Sequence, residues 1–308
     1  MKKHALIVFV LLLLSFFTEA QQTPLMSHYM FNGLLLNPAY AGSKEYISAT
    51  MLYRKQWAGL EGAPVTYSAS IHGLIKKKNL GLGLIMQQDK IGVTSQTDMY
   101  AQFAYHLPLG DDKLSVGIQA GFSNFSSETV KLNYWDPGDQ VFDYNTFNSL
   151  VPNAGLGIYY YRNLFYAGLS SPFLISYDPN EAASLDPSTP THKMDRRFYF
   201  TTGGVIETET DIKIKPSILV KAEGHTPIQY DLNINFLIND IFWIGGSYRS
   251  KSAIVILLEY QISRKLRVGY SYDYAVGRLK NYLPGSHEFM LGYDFGFPVI
   301  KMKSPRYF

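Results

Sequence analysis

The chain has no cysteine among its 308 residues. That excludes disulfides, thiolate metal sites, thiol nucleophiles and the acylated cysteine of a membrane-anchored lipoprotein. Beyond residue 17 it also lacks an apolar run long enough for a spanning helix, which takes about 20 residues. Neither sign of charge dominates. The net charge is +3 and charged residues are only 17 %, which argues against a nucleic-acid partner. Catalytic signatures are missing as well. No His-Glu-x-x-His helix is present, so no zinc site is expected. Gly-x-Ser-x-Gly is absent, and with it the hydrolase elbow. Gly81/Gly83 and Gly155/Gly157 lack the third glycine and following helix of a nucleotide fingerprint. Ser286-His287-Glu288 comes nearest to a catalytic set, but adjacent strand residues point to opposite faces. The reading is a non-enzyme without cofactor.

What is present is aromatic. Aromatic residues make up 15 % of the chain, with 24 Tyr and 19 Phe. The start carries Lys2 and Lys3, then apolar residues from Ala5 to Phe17, then Thr18-Glu19-Ala20. This reads as a signal peptide over 1–20, cut before Gln21. Its removal takes the net charge to +2. An exported chain with much Tyr and Gly, little charge and no spanning helix points to a transmembrane β-barrel. A soluble secreted β-sandwich is the competing class.

Period-two alternation separates a lipid face from a lumen face. Leu266, Val268, Tyr270, Tyr272 and Tyr274 share one face; Arg267, Gly269, Ser271 and Asp273 share the other. Tyr230, Leu232, Ile234 and Phe236 alternate with Asp231, Asn233 and Asn235. In Leu114–Phe122 the inner set is Ser115, Gly117, Gln119 and Gly121. Tyr and Phe lie near strand ends, as interface girdles do. Fourteen strands are predicted, at roughly 44–55, 63–73, 79–88, 95–107, 112–124, 153–161, 164–171, 196–207, 212–221, 227–237, 240–249, 252–261, 264–275 and 286–296. Their connections alternate. Short turns fall near Lys76-Lys77-Lys78, Gly110, Asn163, Thr210, Asn239-Asp240 and Ser263. The longer partners include 126–152 and 171–196. Such asymmetry fits periplasmic turns and extracellular loops, with the mature N-terminus starting in the periplasm.

Four divisions follow: signal peptide 1–20, an N-terminal plug segment 21–43, an outer-membrane barrel 44–297 and a short tail 298–308. The plug segment is apolar and interrupted by Pro24 and Asn37-Pro38. It needs a container, and inward glycines would leave room for one. Asn37, Pro38, Ala39 and Tyr40 are its expected lumen residues, in contact with Arg267 or Asp231. In the first loop-side hairpin, Arg54, Gln56, Trp57 and Gly59 form either a partner-contact loop or a girdle tryptophan with turn residues. Asp178, Glu181 and Asp186 sit in a loop that binds calcium or is simply solvated. Lys76-Lys77-Lys78 meets a periplasmic partner or only solubilises its turn.

These stretches resemble a known family. Gln21-Gln22, Pro24, Tyr29-Met30-Phe31-Asn32 and Asn37-Pro38-Ala39-Tyr40-Ala41-Gly42 are similar to the mature start of PorP/SprF proteins. Arg54, Gln56-Trp57, Gly59, Gly62-Ala63-Pro64, Tyr270-Ser271-Tyr272-Asp273-Tyr274 and Gly285-Ser286-His287-Glu288 extend the likeness over nearly all the mature chain. The resemblance implies a barrel of about 14 strands built like the FadL transporters, with Asn37-Pro38-Ala39 in a luminal plug. It implies a role in type IX secretion or gliding, with a secreted cargo bearing a C-terminal sorting domain as partner, alongside other secretion components and outer-membrane lipid. A FadL-like channel for hydrophobic small molecules is the alternative. Phe308 resembles the aromatic end of an assembly signal, but Lys303 and Pro305 interrupt the alternation before it.

Overall fold

The computed structural model describes residues 25–44, 46–128, 147–175, 196–223, 226–276 and 284–296. The expected signal peptide, the C-terminal tail and the acidic Asp178–Asp186 loop lie outside these residues. The fold is a closed antiparallel barrel. Its first seven strands are β1 (Ile47–Lys55), β2 (Val65–Ile75), β3 (Leu80–Ile91), β4 (Thr94–Leu109), β5 (Asp112–Ser127), β6 (Phe147–Arg162) and β7 (Phe165–Phe173). There follow β8 (Arg197–Gly204), β9 (Ile206–Glu207), β10 (Ile212–Glu223), β11 (Gln229–Ile238), β12 (Phe242–Arg249), β13 (Ala253–Gln261), β14 (Leu266–Ala275) and β15 (Ser286–Phe295). Fourteen form the ring. The two-residue β9 is an extra piece that continues the line of β8 along β10. β1 pairs with β15 from Ile47↔Phe295 to Lys55↔His287, which closes the sheet and satisfies both edges. Closure is what lets a sheet cross a membrane, because lipid offers no hydrogen bonds to a free edge.

Alternation decides which way the wall faces. Outward residues are large and apolar: Met51, Tyr67, Met86, Phe103, Ile118, Leu156, Ile256 and Phe289 are all exposed. Inward residues are small or polar: Ser48, Thr50, Ser70, Gln102, Ser115, Asn235 and Ser271 are buried. A sandwich in water would have these faces exchanged, so the apolar belt marks a lipid surface. No helix among the described residues is long and apolar enough to cross a membrane. The short turns use residues that tolerate positive φ. Asn239 and Asp240 have φ 55° and 56°, as a tight two-residue hairpin requires.

One strand breaks the ladder. Pro172 has no N–H, and the β7–β8 register shifts between Ser170 and Phe173. Ser171 and Pro172 both turn inward. The Pro172 carbonyl accepts from Gln119 Nε2 at 2.7 Å and lies over Gly155, where a Cβ would meet it at 2.4 Å.

Candidate functional site

Residues 25–44 form no strand. They make three short 3₁₀ turns, Ser27–Phe31, Gly33–Leu35 and Pro38–Tyr40. Pro38 sits at the start of the third turn, where a missing N–H costs nothing. Asn37 works in two directions. Its Oδ1 accepts from Ala39 N at 2.9 Å, and its Nδ2 donates to the Ile158 carbonyl at 3.0 Å. The side chain therefore caps the turn and fastens it to β6.

The course of the segment follows from its partners. Ser27 Oγ donates to Asp273 at 2.8 Å, near the loop end of β14. Lys215 Nζ donates to the Met30 carbonyl at 3.0 Å, and Asn32 Nδ2 donates to Ser70 Oγ at 2.8 Å. Further along, Gln102 donates to the Leu34 carbonyl at 3.1 Å and Ser170 to the Leu36 carbonyl at 2.7 Å. His106 Nε2 meets the Ala41 carbonyl at 2.8 Å, and Gly42 N donates to His72 Nδ1 at 3.1 Å. Lys44 closes the series on Ser48 Oγ at 3.4 Å, at the short-turn end. Leu25 thus lies at the end of the long connections and Lys44 at the opposite one. β1 begins at the short-turn end, and Leu25 and Met26 stand at the other mouth. At about 2 Å per residue in 3₁₀ form, 20 residues suffice to span the hydrocarbon thickness.

Glycines make the space. A Cβ on Gly81 would stand 1.9 Å from the Ala41 carbonyl oxygen, and one on Gly117 2.3 Å from Ala39 N. On Gly157 it would meet Asn37 Oδ1 at 2.0 Å, and on Gly269 His28 Nε2 at 2.7 Å. Asn37, Pro38, Ala39 and Tyr40 are buried. Arg267 stands within electrostatic reach of Tyr40. Asn37 meets Ile158, Gly157 and Gly168, while Tyr40 packs its ring 5.5 Å from Tyr159 and 5.3 Å from His72. Asp231 pairs instead with Arg249 at 3.0 Å.

Burial shapes the electrostatics of the segment. Lys215 has no solvent exposure, and its ammonium stands 5.1 Å from the Phe31 ring and 5.8 Å from Trp243. Aromatic faces replace part of the water this cation has lost.

At the loop-end mouth a charged cluster holds the first turn. Glu288, fully buried, accepts from Ser27 N at 2.8 Å and His28 N at 2.8 Å. His28 Nδ1 lies 2.7 Å from it and Arg54 Nη1 3.2 Å. Arg54 also pairs with Asp273 at 2.7 Å, and Arg249 joins Asp273 at 3.4 Å. Ser27 and His28 are anchors that reading the sequence missed. The signal was available in the inward carboxylates Asp273 and Glu288, which needed partners. The loop residues separate. Arg54 points inward and lines a mouth cavity of about 80 Å³ with Gln56 and Trp57, while Gly59 stands exposed, with open space where a Cβ would be. Ser286-His287-Glu288 splits as its alternation predicts. His287 leaves the other two and bonds Tyr270 OH at 2.8 Å.

A family model described as type IX secretion system membrane protein PorP/SprF matches residues 18–293. Among solved structures, the toluene transporter TbuX of Ralstonia pickettii is similar at 9 % identity and a TM-score of 0.50, over 86 % of this chain and 93 % of that one. The CymD monoaromatic hydrocarbon channel matches at 12 % identity and 0.49, over 86 % and 91 %. The outer membrane protein Omp33 of Acinetobacter baumannii matches at 9 % and 0.48, over 82 % and 100 %. At these identities the likeness concerns the barrel fold alone. No protein of curated function matches the sequence.

Proposed function

The chain belongs to the PorP/SprF family of type IX secretion system membrane proteins, and on that premise we propose that it is a plugged, non-enzymatic surface platform. Its partner is a secreted cargo with a C-terminal sorting domain, which it helps export or anchors at the cell surface beside other secretion components. The observation that carries the reading is the seat of residues 25–44. Eleven hydrogen-bonded positions, from Ser27 to Lys44, tie them to the wall. A lumen filled this way suits holding a partner better than passing solutes. Short turns then face the periplasm, the long connections face outward, and Asn37, Pro38, Ala39 and Tyr40 serve as the lumen seal. Arg54, Gln56, Trp57 and Gly59 belong to the surface that receives the partner. Deleting the gene should leave the cognate cargo unexported or unanchored. Normal surface display of every such cargo in the mutant would sink the proposal.

A channel for hydrophobic small molecules is the rival role. The polar inner wall tells against it, since such a solute needs an apolar path. Uptake of a long-chain or aromatic hydrocarbon that depends on this barrel would favour the rival. Large stable conductance in planar bilayers would count against the plug.

A further inference from the structure

The short-turn end of the barrel carries its exposed charge unevenly. The turn between β2 and β3 is Lys76-Lys77-Lys78, all exposed. The turn between β13 and β14 holds Arg264 and Lys265, exposed as well. Together the two turns bring five cations and no carboxylate. Among the described residues, the side chains of Lys77, Lys78, Arg264 and Lys265 make no hydrogen bond or ion pair. On the far side of the ring the sign reverses. Glu207, Glu209 and Asp211 stand exposed around the turn before β10, and Lys213 beside them pairs with Asp240 at 2.5 Å.

Both basic turns are preformed. Asn79 closes the first in the left-handed conformation, at φ 51°, and its carbonyl accepts from His106 N at 2.9 Å. In the second, Ser263 Oγ accepts from Lys265 N at 3.3 Å and from Leu266 N at 3.1 Å. Between the turns lie β14, β15, β1 and β2, about 20 Å of wall at the usual strand spacing. The outward side chains of this strip next to the turns are apolar. Tyr293, Phe295, Ile47, Ile71 and Ile75 are each at least 38 % exposed, and the Tyr293 and Phe295 rings stand 4.6 Å apart.

We propose that this strip binds anionic phospholipid, with the acyl chains along the apolar wall and the phosphates at the two basic turns. The proposal needs only the place of the barrel in a membrane and is independent of the cargo. Phosphate is the acceptor these cations lack, and a lipid carries it to the depth at which the apolar wall ends. Clustered Lys and Arg beside a bilayer attract anionic headgroups, and each added cation strengthens the attraction. A free anion gains nothing from the apolar strip. An acidic protein could meet the turns but not the wall between them, which faces lipid.

The test uses the full barrel in nonionic detergent, read by native mass spectrometry. Phosphatidylglycerol and phosphatidylcholine with identical chains are offered in equal amounts. The parent should retain phosphatidylglycerol at least tenfold more strongly. Lys76→Gln, Lys77→Gln and Lys78→Gln together should reduce that preference, as should Arg264→Gln with Lys265→Gln, and all five should bring it to about twofold or less. Migration on unheated gels checks that each variant is folded. Glu207→Gln with Glu209→Gln, on the far side, is the control and should leave the preference at or above the parent level. No preference in the parent overturns the site, as does an undiminished preference without the five cations. Competition by glycerol phosphate as effective as by the whole lipid also overturns it, in favour of a free-anion site. Cargo display is scored separately in cells carrying the five substitutions. Lost display with an unchanged lipid preference overturns the lipid site and assigns the turns to a protein partner.

Discussion

Gly81→Ala tests directly whether residues 25–44 are seated in the lumen. The added Cβ would stand 1.9 Å from the Ala41 carbonyl oxygen and 2.6 Å from its carbon, both backbone atoms that cannot swing away. Ordinary contact begins near 3.4 Å, so the segment must retreat by about 1.5 Å. That stretches the His106–Ala41 bond of 2.8 Å and the Gly42–His72 bond of 3.1 Å past useful length. Each lost bond costs about 1 kcal/mol, and forced overpacking adds about 1–3 kcal/mol. The local opening energy should therefore fall by about 3–5 kcal/mol, between about a hundredfold and a few thousandfold in the open population. Because the chain has no cysteine, one Ser43→Cys reporter, buried in the parent at 4 % exposure, can be read alone with a maleimide. Labelling should be slow in the parent and at least a hundredfold faster with Gly81→Ala. Gly246→Ala is the control, since its Cβ meets nothing closer than 3.5 Å. Equal labelling with and without Gly81→Ala, in barrels that still migrate as folded on unheated gels, would refute the seating of the segment against β3.

Glu288→Gln should destabilise the barrel by about 1.5–3 kcal/mol, because it weakens the charge-assisted bonds from Ser27, His28 and Arg54 while Arg54 keeps Asp273; urea unfolding read by intrinsic fluorescence checks this. Ile118→Arg, on the outward face at 60 % exposure, should cost about 2–4 kcal/mol if that face meets the membrane midplane. A neutral effect on folding into liposomes would refute the placement of that face in lipid.

The wall was legible because alternation is local. Leu266 to Tyr274 displays its two faces within nine residues, and each predicted strand overlaps an observed one. Ends differ where chemistry at a distance intervenes. β6 begins at Phe147 rather than near residue 153 because β5 supplies a ladder partner as far as Ser127↔Phe147. The break at Pro172 could have been read from the missing N–H, whereas the inward turn of its carbonyl depends on Gln119 and Gly155. The mouth cluster was harder. Arg54 looked like a loop residue because it adjoins Gln56 and Trp57, yet alternation places it inside.

The residues alone settled a cysteine-free all-β chain, with an apolar face for lipid and a polar face for a lumen. They settled these things because side chains two apart in a strand share a face whatever the rest of the chain does. Only the closed ring decided which wall residues the segment 25–44 meets and in which direction it runs. Ser27 lies 246 residues from Asp273 and 261 from Glu288, and no local pattern links positions so far apart. β15 must return beside β1 before those carboxylates stand over the first turn, and Gly81, Gly117 and Gly157 become a channel for backbone only once their strands curve around it.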